Sequence, residues 1–129
     1  MFNWRAPDNL GVKDGRLAPC RRSPNCVSSQ ANPADREHYI APLHHRGGDP
    51  MAAVRRAVQA MPRTTIVREA PNYLYAEFRT RLLRYVDDVE FWFDGTAIQV
   101  RSASRLGRRD FGVNRKRVEA LRALIEARA

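Results

Sequence analysis

Apolar residues change their period twice along this 129-residue chain, and each change marks a new element. Residues 1–49 sustain neither a period of two nor one of 3.6, and they hold five of the eight prolines and four of the seven glycines. They read as an irregular arm, residues 1–48, anchored by Trp4, Leu10, Val12, Leu17, Val27 and Ile40. At Asp49-Pro50 the pattern turns helical. Asp suits the N-cap, where its carboxylate accepts a free backbone N–H, and Pro suits the first helical position, where no N–H is needed. Met51, Val54, Val58 and Met61 recur on one helical face until Pro62 stops the run.

From Thr64 the period drops to two. Thr65, Val67 and Glu69 alternate with Ile66, Arg68 and Ala70. Pro71-Asn72 supplies a turn, and Leu74, Ala76 and Phe78 share one face of a second strand. A third strand covers Tyr85 to Phe93 and a fourth Ala97 to Ser104, joined at Asp94-Gly95, which suits a two-residue hairpin. Helical spacing returns from Asn114 to Arg128, with Asn114 as N-cap and Val118, Leu121, Leu124 and Ile125 as the apolar stripe. The expected fold is α+β, a two-layer domain over residues 49–129. Its four-stranded antiparallel sheet is flanked by an N-terminal and a C-terminal helix, and the arm packs on it to form one structural unit.

A two-residue turn would fix the register of the last two strands. Val89 then faces Val100, Phe91 faces Ile98 and Asp87 faces Ser102, with Ser104 beyond. On the opposite side Asp88 faces Arg101 and Glu90 faces Gln99, beside Trp92. The apolar face thus ends in a polar patch. The opposite face carries a cross-strand ion pair, of a kind worth about 0.2–1 kcal/mol. A carboxylate at the core margin, as at Asp87, needs hydrogen bonds to remain there.

Composition adds limits. Hydrophobic residues make up 43% of the chain, which supports a core and excludes wholesale disorder. No apolar run approaches the ~18 residues of a membrane span, and the opening residues lack the apolar stretch of an export signal. The expected location is cytoplasmic. The formal net charge is +9, and residues 101–129, with nine basic and three acidic side chains, contribute +6 of it. Arginine outnumbers lysine 21 to 2, a usage that also fits a GC-rich bacterial genome. Arginine is the better bidentate partner for carboxylate and phosphate.

Arg115, Lys116 and Arg117 fall in the first turn of the last helix, where the helix already carries about half a positive charge. The arrangement makes physical sense beside an anion, either a ligand or an internal carboxylate such as Asp87, Asp88 or Asp110. Backbone N–H groups at a helix start bind phosphate or carboxylate, and Arg101, Ser102, Ser104, Arg105 and Arg108 complete a candidate shell with Asn114, Arg115 and Arg117. The plainer alternative is a solvated basic surface with internal salt bridges. Walker-type glycine spacing is absent, which excludes a nucleotide-binding P-loop.

Cys20 and Cys26, in the run Pro19-Cys20-Arg21-Arg22-Ser23-Pro24-Asn25-Cys26, have a C-x5-C spacing that is neither a redox C-x-x-C nor a standard zinc knuckle. A zinc site with His38, His44 or His45 has unconventional spacing, and a short-loop disulfide sits poorly with a reducing cytoplasm. Arg21 and Arg22 would lower the Cys20 pKa, so Cys20 and Cys26 form a candidate thiol site. The favoured reading is structural: a turn-rich segment whose Ser23, Asn25 and Ser28 side chains pin the arm.

Four ordered runs together resemble the domain of unknown function 1499 family. They are Leu17 to Cys20 with Ser23 to Ser29, Tyr85 to Phe91, Arg101 to Arg105, and Asp110 to Arg117, and the resemblance spans residues 9–126. It implies no established activity. It singles out Cys20, Ser23, Asn25, Cys26, Ser28, Asp87, Asp88, Glu90, Arg101, Ser102, Ser104, Arg105, Asp110, Asn114, Arg115 and Arg117 as motif positions. Family members often carry a membrane segment or export signal; this chain shows neither, which leaves an exported location outside the expectation. The family pattern has Pro where Arg21 stands and commonly Tyr near Arg108, so part of the arginine surplus is this chain's own. Docking of the Ser-Pro-Asn-Cys turn at the sheet end would bring all four motifs into one cluster.

Three function classes follow. The leading one is a binding or accessory domain for a small anionic or polar ligand at the sheet end and last-helix start. Nucleic-acid binding through the basic C-terminal third, with Tyr75 and Trp92 as exposed stacking aromatics, comes second. An enzyme using Asp87, Asp88, Glu90, Arg101 and Cys26 comes third, with no recognised catalytic motif. No cofactor and no metal is implied.

Overall fold

A computed structural model describes residues 5–82, 85–107 and 112–127. Trp4, Arg108 and Asp110 lie outside these described residues. Elements follow the order β1 (Cys26–Ser28), α1 (Pro50–Ala60), β2 (Thr64–Ala70), β3 (Tyr73–Arg79), β4 (Val86–Phe93), β5 (Ile98–Ser104) and α2 (Val113–Glu126). The fold is α+β with an antiparallel sheet, but the sheet has five strands rather than four, in the order β1-β5-β4-β3-β2. The additional strand comes from the arm. Cys26, Val27 and Ser28 pair with Ala103, Ser102 and Arg101, so β5 is an interior strand. Three residues between turns carry no readable alternation, and only the partner strand defines them.

Helix α1 begins as its sequence implies: the Asp49 side chain accepts the Met51 N–H at 3.0 Å, and Pro50 occupies the first turn. Met51, Val54, Ala57 and Val58 face inward. Together with Val118, Leu121 and Ile125 of α2 they cover Leu74, Ala76, Phe78, Val89, Phe91, Ile98 and Val100 on one sheet face. Leu124, expected in the buried stripe, is exposed instead. Buried Asn114 and Arg117 extend the inward face of α2 toward its N-terminus. Strand β2 bulges between Ile66 and Arg68, leaving Val67 half exposed.

The β4–β5 hairpin differs from the expected register by two residues. Its loop is Asp94–Ala97, four residues rather than two. The Asp94 carboxylate accepts the N–H groups of Thr96 (2.8 Å) and Ala97 (2.9 Å), and the Asp94 N–H donates to Ala97 O. Phe93 therefore pairs with Ile98, Phe91 with Val100, Glu90 with Arg101, Val89 with Ser102, Asp88 with Ala103 and Asp87 with Ser104. A slip of two keeps every side chain on its expected face, because side chains alternate with period two.

The second sheet face is covered as well. Leu10, Val12 and Leu17 of the arm pack over Tyr73, Tyr75 and Trp92. Tyr75, expected as an exposed stacking aromatic, is buried, while Tyr85, expected to open the third strand, lies exposed just before it. The sheet thus lies between a helical layer and the arm, and polar side chains of β4 and β5 are buried on both sides.

Candidate functional site

On the helix side, the apolar core gives way to a polar network at the ends of β4 and β5. Helix α2 starts at Val113, after Gly112 at φ +78°, with no side-chain cap. Asn114 is therefore one residue inside the helix and does not cap it. Its fully buried amide instead joins three elements. Its Oδ1 accepts Ser102 Oγ at 2.6 Å and Arg117 Nη1 at 2.8 Å, and its Nδ2 donates to Asn25 O at 3.1 Å and Ser104 Oγ at 2.9 Å. Arg117 Nη2 forms an ion pair with Asp87 Oδ2 at 2.7 Å, and the guanidinium lies 5.0 Å from the centre of the Phe78 ring. The Asn25 side chain donates to Gly107 O at 2.5 Å and accepts Ser23 Oγ at 2.9 Å. All four sequence motifs contribute described residues to this one region. Its donors and acceptors are used internally, as a buried network requires.

On the arm side the carboxylates of β4 meet two arginines. Asp88, 1% exposed, receives Arg105 in bidentate fashion, Nε to Oδ2 at 3.0 Å and Nη2 to Oδ1 at 2.7 Å. Arg105 Nη2 also reaches Glu77 Oε2 at 2.9 Å, and Tyr75 Oη donates to Asp88 Oδ1 at 2.5 Å. Glu90 is fully buried. Its Oε2 accepts Tyr73 Oη at 2.5 Å and the Gly11 N–H at 2.6 Å. Gly11, at φ +97°, adopts the left-handed conformation that glycine tolerates without strain. Burial, and then hydrogen bonding to Glu90 and Asp88, raises the pKa of Tyr73 and Tyr75, so both phenols act as donors. The Asp88 hydrogen bonds raise the pKa of Arg105.

Arg101 is the exception to this saturation. It is 5% exposed and opposes Glu90 in the strand register, yet its Nη1 lies 4.0 Å from Glu90 Oε1, beyond hydrogen-bond distance. Its Nη2 donates to Pro19 O at 3.3 Å, while Arg101 Nε and Glu90 Oε1 have no hydrogen-bond partner among the described residues. Burial lowers the Arg101 pKa, and the like charge of Arg21 acts in the same direction. Arg101 lines a cleft of about 210 Å³ whose other walls include Arg5 and Asn9 of the arm, Arg21, Ser23 and Asn25 of the cysteine loop, and Ser104 and Arg105.

The cysteine loop is closed by a Cys20–Cys26 disulfide with a Cα–Cα distance of 5.7 Å. That corrects the thiol reading: neither sulfur is available as a nucleophile or zinc ligand. Among the described residues no group of three or more His, Cys, Asp or Glu side chains is placed to hold a metal ion. Arg115 stands apart from the cluster and donates to the backbone carbonyls of Arg36, Glu37 and Tyr39. Ser28 holds the arm through its Oγ, which accepts the Gln30 N–H at 3.1 Å.

A family model described as "Protein of unknown function (DUF1499)" matches residues 16–125. The chain belongs to the DUF1499 family. No curated protein and no solved structure matches it significantly. Among the described residues of this DUF1499 chain, no helix is long and apolar enough to cross a membrane. The matched region includes Arg21, Arg101 and Ser104 of the cleft, while Arg5 and Asn9 precede it. Sequence reasoning missed Arg5, Asn9, Tyr73, Tyr75 and Glu77 as contributors. The two tyrosines and Glu77 share the parity that pairs them with the Asp88–Glu90–Trp92 face, a signal available in the sequence. Arg5 and Asn9 sit in an unpatterned segment that gives no such signal.

His38 ties the loop to the arm and makes it sensitive to pH. Its Nδ1 lies 2.7 Å from Asp35 Oδ2 and its Nε2 2.9 Å from Ser23 O, two acceptors that both require N–H. Burial opposes the charged ring, but the Asp35 and Ser23 interactions outweigh it and raise the pKa above the ordinary 6.5. The His38 hydrogen bond lowers the Asp35 pKa below 3.8. The histidine contribution is complete below its unfolded pKa and lost as pH rises through the folded one. The aspartate contribution is complete above its unfolded pKa and lost as pH falls through the folded one. The melting-temperature difference between wild type and His38→Gln should therefore peak between about pH 4 and pH 6.5 and decline on both sides. A difference that stays constant into the alkaline range would contradict this assignment.

Proposed function

We propose that the domain binds a small anionic group, a carboxylate, phosphate or sulfate, in the cleft between the arm, the cysteine loop and the exit of β5. The observation that carries this reading is Arg101: a buried guanidinium whose Nε has no hydrogen-bond partner among the described residues, while its Nη2 donates to Pro19 O and its Nη1 stands 4.0 Å from Glu90 Oε1. An anion between Arg101 and Arg21 offsets the repulsion between them and uses the Nε donor, whose burial is otherwise uncompensated. Arg5 and Arg21 are exposed, and neither forms an ion pair among the described residues. Of the residues expected to bind, Arg101, Ser104 and Arg105 line the cleft. Ser102, Asn114 and Arg117 serve as its support, and Arg105 gives its hydrogen bonds to Asp88 and Glu77, since the donors of all four are committed to neighbouring side chains. We place the domain in an oxidising compartment rather than the cytoplasm, because a disulfide persists there and is reduced in the cytosol.

The test is the melting temperature in phosphate, sulfate and citrate, with chloride at matched ionic strength as reference. At about ten times Kd, binding adds about 1.4 kcal/mol, roughly 5 °C for a domain of this size. These anions also stabilise proteins non-specifically, so the readout is the saturable difference between wild type and Arg21→Ala. Exposed Arg21 should leave the ligand-free melting temperature nearly unchanged when truncated. Equal shifts in both proteins, or none in wild type, would exclude the cleft as an anion site.

A further inference from the structure

We infer that the sheet end formed by the β3–β4 loop, the exit of β5 and the start of α2 docks onto an anionic lipid surface. Four large apolar side chains protrude there: Leu82 at 87% exposure, Leu106 at 42%, Tyr85 at 41% and Val113 at 39%. Hydrogen bonds place their backbones side by side. Thr80 N donates to Tyr85 O and Tyr85 N to Thr80 Oγ1, which closes the loop that carries Leu82. Arg105 N donates to Val86 O, setting Leu106 beside Tyr85, and the Asn114–Ser104 bond brings Val113 to the same end. Single exposed apolar residues are ordinary, but a group of them at one end of a small domain marks an interaction surface.

The charge around this group selects the partner. Among the described residues of the β3–β4 loop, Arg81 is exposed and none is acidic, and Arg79, paired with Glu77, flanks it. Arg63, beside Arg79 through the bond from Arg79 N to Arg63 O, and Lys116 in the first turn of α2 add to the cationic rim. Among the described residues, the acidic side chains nearest this end are paired with arginines: Asp87 with Arg117, Asp88 with Arg105, and part-buried Glu77 with Arg105 and Arg79. Apolar tips carried on separate loops and divided by arginines suit insertion between lipid headgroups, with the guanidinium groups held at the phosphate level.

The experiment is co-sedimentation with vesicles of phosphatidylcholine alone and of phosphatidylcholine mixed with phosphatidylserine, at low and physiological salt. The protein should pellet with the anionic vesicles, at least about ten-fold more tightly than with neutral ones, and binding should weaken as salt rises. Leu82→Ser, at a position too exposed to affect folding, should lower the affinity roughly five- to ten-fold, and Arg81→Gln about five-fold. A Leu82→Trp variant should show a blue-shifted emission only with anionic vesicles. Failure to pellet with the mixed vesicles, or equal binding by wild type and Leu82→Ser, overturns the inference. So does lipid-free self-association that Leu82→Ser abolishes, since it assigns the surface to a second copy of the chain.

Discussion

Arg105→Ala should lower the unfolding free energy at neutral pH by about 3–5 kcal/mol, the range expected when one member of a buried ion pair is removed. Asp88 would remain 1% exposed without its bidentate partner, and Glu77, left with Arg79 alone, would stand as a like charge beside it. Tyr75 Oη would still donate to Asp88, but a phenol supplies no balancing charge. Removing both charges together should be far milder: Asp88→Leu with Arg105→Met should come within about 2 kcal/mol of wild type. The Arg55–Glu69 pair, of similar distance but with both side chains substantially exposed, provides the contrast. Arg55→Ala should cost under about 1 kcal/mol. Urea melts of the four proteins decide the matter, and an Arg105→Ala cost no larger than that of Arg55→Ala would mean that Asp88 regains solvent in the variant.

This contrast also shows what the chain conveys on its own. Local chemistry is readable: Asp49-Pro50 starts a helix whatever surrounds it, and the alternation of Val89, Phe91, Ile98 and Val100 identifies the core face. Face assignment survived the two-residue register slip because it depends only on parity. Loop length did not, because it turns on whether the Asp94 carboxylate caps Thr96 and Ala97. What lies above a face is not encoded in that face's pattern. Asp88, Glu90 and Tyr75 look solvent-exposed by alternation, and only the arm's path across them turns ordinary cross-strand contacts into buried ion pairs. Likewise, Asn114 has the residue type of a cap. Its role inside the first turn follows from Asn25, Ser102 and Ser104, which are distant in sequence and converge on it. The candidate site was therefore visible as a set of residues, while the division of labour among them depended on tertiary contacts.

Replacing Cys20 and Cys26 together by Ser, or reducing the wild type with dithiothreitol, should cost about 2–4 kcal/mol. The lower end is the chain-entropy contribution of so short a closed loop, with a sequence separation of 6. The remainder would come from β1. Cys26 is its first residue, and release of the loop weakens the Asn25 contacts to Leu106 and Gly107 that hold it against the β5 exit. The loop also carries Arg21, Ser23 and Asn25 into the cleft, so reduction should act on binding as well as on stability. Anion-induced stabilisation should decline in the reduced protein under conditions where circular dichroism still reports a folded sheet. Should reduction lower stability but leave the anion response intact, the disulfide would be confined to a structural role. Should it change neither, the bonds of Asn25 and His38 would suffice to hold the loop, and the case for an oxidising compartment would lose its functional basis. The inferred order, with the loop released and binding lost while the sheet persists, follows from where the bridge sits. It crosslinks an edge strand to the cleft wall and leaves the helix-covered core untouched.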